Sequence, residues 1–115
     1  MPATEGPPRS IDQLEATELS GLLASIEEGL PTSLVDQVEE RLDLTPQEMA
    51  SFLGISPRTL ERRREDGTLT SGESERLYRI ARLFRKAAQV FESEEDARSW
   101  LKRPQMRLGE QVPLQ

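Results

Sequence analysis

From Leu14 to Leu101 the apolar residues recur at helical spacing in blocks, each closed by a short polar, glycine- or proline-bearing break. Leu14, Leu19, Leu22, Leu23 and Ile26 form the first block, opened by a Ser10/Gln13 capping box and ended by Gly29 and Pro31. Gly21 within it costs on the order of 1 kcal/mol relative to alanine, so this helix depends on packing or on a partner. Leu34, Val35, Val38 and Leu42 line a second helix beginning at Thr32 or Ser33, with Asp36, Glu39 and Glu40 outside. A longer helix follows a Thr70/Glu73 capping box: Leu77, Ile80, Ala81, Phe84, Ala88 and Phe91 mark its inner stripe, and Arg79, Arg82, Arg85 and Lys86 its exposed sides. Ser93 caps a final helix with Glu94, Glu95 and Asp96 in its first turn and Lys102 and Arg103 in its last. Ala97, Trp100 and Leu101 form its inner face, and Pro104 stops it. The tryptophan suits a packing anchor better than a base-stacking platform. The expected fold is all-α, a small bundle of five to six helices.

The stretch from Leu44 to Arg64, LTPQEMASFLGISPRTLERRR, organises the rest, because it reads as a helix-turn-helix. Thr45, Pro46 and Glu48 supply a cap, a first-turn proline and the returning carboxylate of a capping box; Leu44 and Met49 are placed as a hydrophobic staple, and Met49, Phe52 and Leu53 share a face. Gly54 ends that helix, and Ser56-Pro57 restarts the same pattern with Thr59 where a glutamate would complete the box. A second helix without a carboxylate in its first turn can approach phosphates and base edges with its partly positive end. Its candidate DNA-binding residues are Ser56, Arg58, Thr59, Arg62 and Arg63, with Arg64 nearby and Leu60 as the inward anchor. The arginine fork meets guanine or phosphate in fixed geometry. The bland alternative is a solvated arginine face on an ordinary helical hairpin.

The chain has 115 residues, no cysteine and no histidine, which removes disulfides, thiol chemistry, Cys/His zinc sites and an imidazole base. Adjacent carboxylates such as Glu27/Glu28 and Glu39/Glu40 do not face each other on a helix, so an acid/base pair is not expected either. The chain is read as a non-enzyme needing no cofactor and no metal. No apolar stretch approaches a membrane span and no signal pattern opens the chain, so a soluble cytoplasmic protein is expected. The net charge of −6 argues against a nucleic-acid partner until it is resolved along the chain. Residues 1–54 hold two basic and eleven acidic groups, residues 55–86 nine and five, and residues 87–115 four and five. The basic segment begins at the proposed recognition helix.

From about Leu44 onward the chain resembles the Xre/MbcA/ParS-type antitoxins of bacterial toxin–antitoxin pairs. The resemblance rests on the helix-turn-helix, on GTLTSGESERLYRIARLFRKAAQVF, on EDARSWLKRP and on the closing LGEQVPL. It implies an operon autorepressor that self-associates as a homodimer and also neutralises a partner toxin, commonly one with an NAD⁺-degrading RES domain. Carried onto this chain, operator contact falls on Ser56, Arg58, Thr59, Arg62 and Arg63. Toxin contact falls between Trp100 and Leu114, on Trp100, Leu101, Met106, Leu108 and Leu114. The expected organisation is a disordered N-terminal lead at 1–9, Pro- and Gly-bearing and without periodicity, a helical domain over 10–91 with the helix-turn-helix at 44–64, and the incomplete start of a toxin-binding domain at 92–115. The family pattern continues past LG..PL with further helices, so a fragment or a shortened homologue is expected. The competing reading is a protein-interaction or dimerisation module whose helix-turn-helix is scaffold and binds no DNA.

Overall fold

The computed structural model describes residue 10 and residues 19–103, and among these it contains six α-helices and no strand. They are α1 (Leu19–Glu28), α2 (Ser33–Leu42), α3 (Pro46–Leu53), α4 (Pro57–Asp66), α5 (Ser71–Phe91) and α6 (Glu94–Lys102). The Ser10/Gln13 capping box and the Pro104 stop involve positions outside the described residues. The chain divides into two compact units at Ala81/Arg82, inside α5.

In the first unit, α2 buries Leu34, Val35, Val38 and Leu42. Its start differs from a side-chain cap: Thr32 sits in helical geometry and makes no capping bond. A backbone turn holds the entry instead, with Leu34 and Val35 donating to the carbonyls of Pro31 and Thr32. Both halves of the α3 capping box form, Glu48 N–H donating to Thr45 Oγ1 at 3.1 Å and Thr45 N–H to Glu48 Oε1 at 2.9 Å. Leu44 and Met49, the staple pair, are both buried. Gly54 closes α3 at φ 75°, a left-handed conformation open to glycine at little cost. Ser56 then caps α4 by accepting the Thr59 N–H at 3.1 Å.

A short clasp ties the α1–α2 connection to the segment before α5. Leu69 N–H donates to Leu30 O, Thr32 N–H to Gly67 O, and the buried Leu30 N–H to Ser74 Oγ at 2.8 Å. Ser74 Oγ in turn donates to Thr70 O at 2.7 Å. The clasp satisfies loop backbone groups that no helix serves.

In the second unit, Phe84, Ala87, Ala97 and Leu101 are buried. The inner stripe of α5 therefore runs through Ala87 and not Ala88, and Phe91 lies outside it at 41% exposure, beside Val90 at 75%. A spacing of 3.6 residues carries the stripe between positions 87 and 88 and past 91. Trp100 is half-buried and meets Phe91 edge to face, with ring centroids 6.2 Å apart. Arg103 leaves α6 in extended geometry, as a residue preceding proline does.

Candidate nucleic-acid interface

The position of α4 is set by Leu60, its single fully buried side chain. Truncating it to alanine would cost about 2–5 kcal/mol by removing the anchor and leaving a cavity. On a helix, Arg63 and Arg64 follow Leu60 at i+3 and i+4 and flank the buried face, whereas Arg58 and Arg62 share the opposite side.

The four arginines accordingly have different surroundings. Arg58 and Arg62 are exposed and have no ion-pair partner among the described residues. Arg63 is half-buried and turned onto Glu73, Nε donating to Oε1 at 2.8 Å and Nη2 to Oε2 at 3.0 Å. The hydrogen bond it donates to Glu73 raises the Arg63 pKa above its ordinary value, against the opposing effect of burial. Arg64 reaches the other way, its Nη2 lying 2.9 Å from Glu39 Oε2 and 3.0 Å from Asp36 Oδ1 on α2. Burial pulls the Arg64 pKa down, and the contacts with Glu39 and Asp36 more than reverse it. The expectation that Arg63 stands exposed beside Arg58 and Arg62 is thus corrected: a carboxylate one helix further on draws it inward.

Glu73 is itself buried. Burial pushes its pKa up, but the Arg63 hydrogen bond and those from Thr70 outweigh this and hold it below the usual carboxylate value. Its Oε1 also accepts the Thr70 N–H at 3.0 Å, while Thr70 Oγ1 accepts the Glu73 N–H at 3.2 Å, so the predicted capping box is present. At the N-terminal end of α4, Ser56 is exposed and its hydroxyl donates to Thr59 Oγ1 at 3.0 Å. Thr59 is half-buried. The outer side of α4 thus offers two hydroxyls at its start and, one turn apart, the guanidinium groups of Arg58 and Arg62, unpaired among the described residues.

Behind the turn, Arg76 of α5 donates from Nη1 to Leu53 O at 3.1 Å, satisfying a carbonyl at the end of α3. A Cβ at Gly54 would lie 2.8 Å from that same Nη1. The turn between α3 and α4 is therefore braced by α5. Sequence spacing did not single out Arg76, Glu73 or the Asp36/Glu39 pair as partners of this site.

Of the residues expected at a toxin interface, Leu101 is buried and Trp100 half-buried. Met106, Leu108 and Leu114 lie outside the described residues. Among the described residues no group of acidic side chains is arranged to hold a metal ion, and no helix is long and apolar enough to cross a membrane.

Residues 21–82 match the family model of the antitoxin Xre-like helix-turn-helix domain, and residues 86–115 that of the antitoxin Xre/MbcA/ParS C-terminal toxin-binding domain. Both are binding domains, not catalytic ones. The two matches, like the two compact units, meet within α5. The chain is 33% identical over 94 residues to an Antitoxin Xre of Photorhabdus laumondii, covering 80% of this chain and 64% of the relative. It is 31% identical over 102 residues to an Antitoxin Xre of Yersinia enterocolitica, covering 87% and 69%. With an Antitoxin Xre of Pseudomonas putida it shares 35% identity over 91 residues, 78% of this chain and 56% of the relative. The chain thus spans between 56% and 69% of the length of these relatives. No solved structure matches it significantly. The first domain match covers over half of the chain and the Yersinia relative is covered beyond two thirds of its length, so the chain belongs to the Xre antitoxin family.

Proposed function

We propose that this chain is the DNA-binding and toxin-binding component of a toxin–antitoxin pair, acting as an autorepressor of its own operon in the cytoplasm. The observation that carries the DNA half is the division of the arginines of α4: two are engaged inward and two, Arg58 and Arg62, are exposed and unpaired among the described residues. Unpaired guanidinium groups on the outer side of a helix give up no ion pair on meeting a phosphate or a guanine edge. Ser56 and Thr59 would add hydroxyl contacts to the backbone. As a homodimer, the protein would set two such helices on half-sites one helical turn apart.

The toxin half rests on the family match over residues 86–115 and on the apolar side chains exposed within it, Val90 and Phe91, beside Trp100. The proposed partner is a RES-type, NAD⁺-degrading toxin, the partner the family resemblance implies, bound without cofactor or metal. Toxin contact through Trp100, Leu101, Met106, Leu108 and Leu114 belongs to the same proposal.

One observation favours the scaffold alternative: Glu61, Glu65 and Asp66 are also exposed on α4. Fluorescence anisotropy decides between the two. Labelled DNA from upstream of the protein's own start codon is titrated at several salt concentrations beside an unrelated duplex. Autorepression predicts selective binding that falls steeply with salt, each phosphate neutralised adding about 0.9 to the log–log slope. Absent binding by the folded protein would establish the scaffold reading, and equal binding to both duplexes would refute operator recognition.

A further inference from the structure

Resting on the reading of α4 as a recognition helix, we propose that Arg63 and Glu73 are a positioning pair that fixes the rotation of α4, and that Arg63 contributes no DNA contact.

The geometry is that of a strut. Arg63 engages both carboxylate oxygens of Glu73 through Nε and Nη2, so the bond resists twisting as well as stretching. Its far end is tied into further hydrogen bonds. Glu73 is buried at 5% exposure, held by Thr70 on both sides of the capping box, and followed by Ser74, whose hydroxyl is locked between Leu30 N and Thr70 O. On the opposite flank of Leu60, Arg64 is tied to Asp36 and Glu39 of α2. The recognition helix is thereby held from both sides of its anchor, and the pair on the α5 side is the more enclosed of the two. Side-chain tips stand roughly 6 Å from a helix axis, so a 20° rotation of α4 would displace Arg58 and Arg62 by about 2 Å. That is enough to lose a bidentate contact.

The two possible roles of Arg63 predict opposite results. If Arg63 were a DNA contact that Glu73 merely holds between encounters, Glu73→Gln would release it, tightening binding and steepening the salt dependence. Arg63→Lys, which keeps the charge, would also bind nearly as the wild type does. If the pair is a strut, lysine cannot reproduce the two-pronged bond and glutamine cannot supply its charge. Both substitutions then misplace α4.

The test uses anisotropy titrations of labelled upstream duplex over a range of salt with wild type, Arg62→Ala, Arg63→Lys, Glu73→Gln and the Arg63→Lys/Glu73→Gln double variant, each checked for folding by circular dichroism. We expect Arg62→Ala to lower the salt slope by about one. Arg63→Lys and Glu73→Gln should each weaken binding on the order of tenfold at unchanged slope, with the double variant no weaker than the worse single one. If Glu73→Gln does not fold, the charge-preserving Arg63→Lys carries the test alone. Wild-type affinity in Arg63→Lys, or tighter and more salt-dependent binding in Glu73→Gln, would overturn the inference while leaving the recognition-helix reading in place. A wild-type chain that binds no DNA at low salt would overturn both.

Discussion

Ser74→Ala removes one oxygen from the centre of the clasp that joins the α1–α2 connection to the start of α5. Ser74 has no exposed surface, and its hydroxyl accepts the N–H of the equally buried Leu30 at 2.8 Å. Alanine would leave that N–H in an apolar setting with nothing to bond, at a cost of about 1–3 kcal/mol. The carbonyl of Thr70 is not orphaned, because the Ser74 N–H continues to donate to it at 2.8 Å. Alanine also favours the helix over serine by about 0.5 kcal/mol, so the net loss should be about 0.5–2.5 kcal/mol. For a domain of this size that lowers the melting temperature by roughly 4–8 °C per kcal/mol. Thermal melts followed by far-UV circular dichroism would read it, with Ser51→Ala, an exposed serine in α3, as the control for helix propensity alone. A Ser74→Ala protein at least as stable as Ser51→Ala would refute the argument and mean that water replaces the hydroxyl.

Three further outcomes follow from the same geometry. The Glu73 carboxyl titrates below its usual value of 4.5 in the folded protein, so its contribution to stability is present above that pH and is lost as the pH falls through the lowered value; Glu73→Gln should flatten the acid arm of the melting temperature below pH 4.5, and a parallel curve would count against the strut. Gly29 adopts φ 101°, and a Cβ there would overlap the carbonyl oxygen of Leu69, so Gly29→Ala should cost more than the roughly 1 kcal/mol of a left-handed alanine alone, as measured by urea denaturation. Val90→Glu places a charge on the most exposed large apolar side chain among the described residues of the segment proposed to bind toxin; it should reduce co-purification of a co-expressed toxin while leaving DNA affinity unchanged, and intact toxin binding would move the interface elsewhere.

Local features of the fold were legible because each is decided within one turn of chain. The Thr45/Glu48 and Thr70/Glu73 boxes, the Ser56 and Ser93 caps and the buried faces of α2 and α3 all follow from side chains three or four positions apart. Spacing failed where a side chain's fate depends on an element distant in sequence. Ser74 supports Leu30 across 44 positions and Arg76 supports Leu53 across 23, and no periodicity encodes either.

Arg63 lies between these cases. Grouped with Arg58 and Arg62 as a candidate DNA contact, it nevertheless follows the buried Leu60 by three residues, which places it beside the inner face. What periodicity could not supply is the carboxylate waiting there. An arginine on that flank can run along the core and emerge into solvent, or turn to a buried partner, and the choice belongs to Glu73 on the next helix. The capping motif that predicts the start of α5 contains the missing information in another form. A capping glutamate is ordinarily solvent-facing, yet Glu73 is buried with a second carboxylate oxygen left over once the cap is made, and a buried oxygen of that kind requires a cation. Reading the cap as a source of unspent hydrogen-bonding capacity connects the start of α5 to the recognition helix, and so connects the stability of one to the aim of the other.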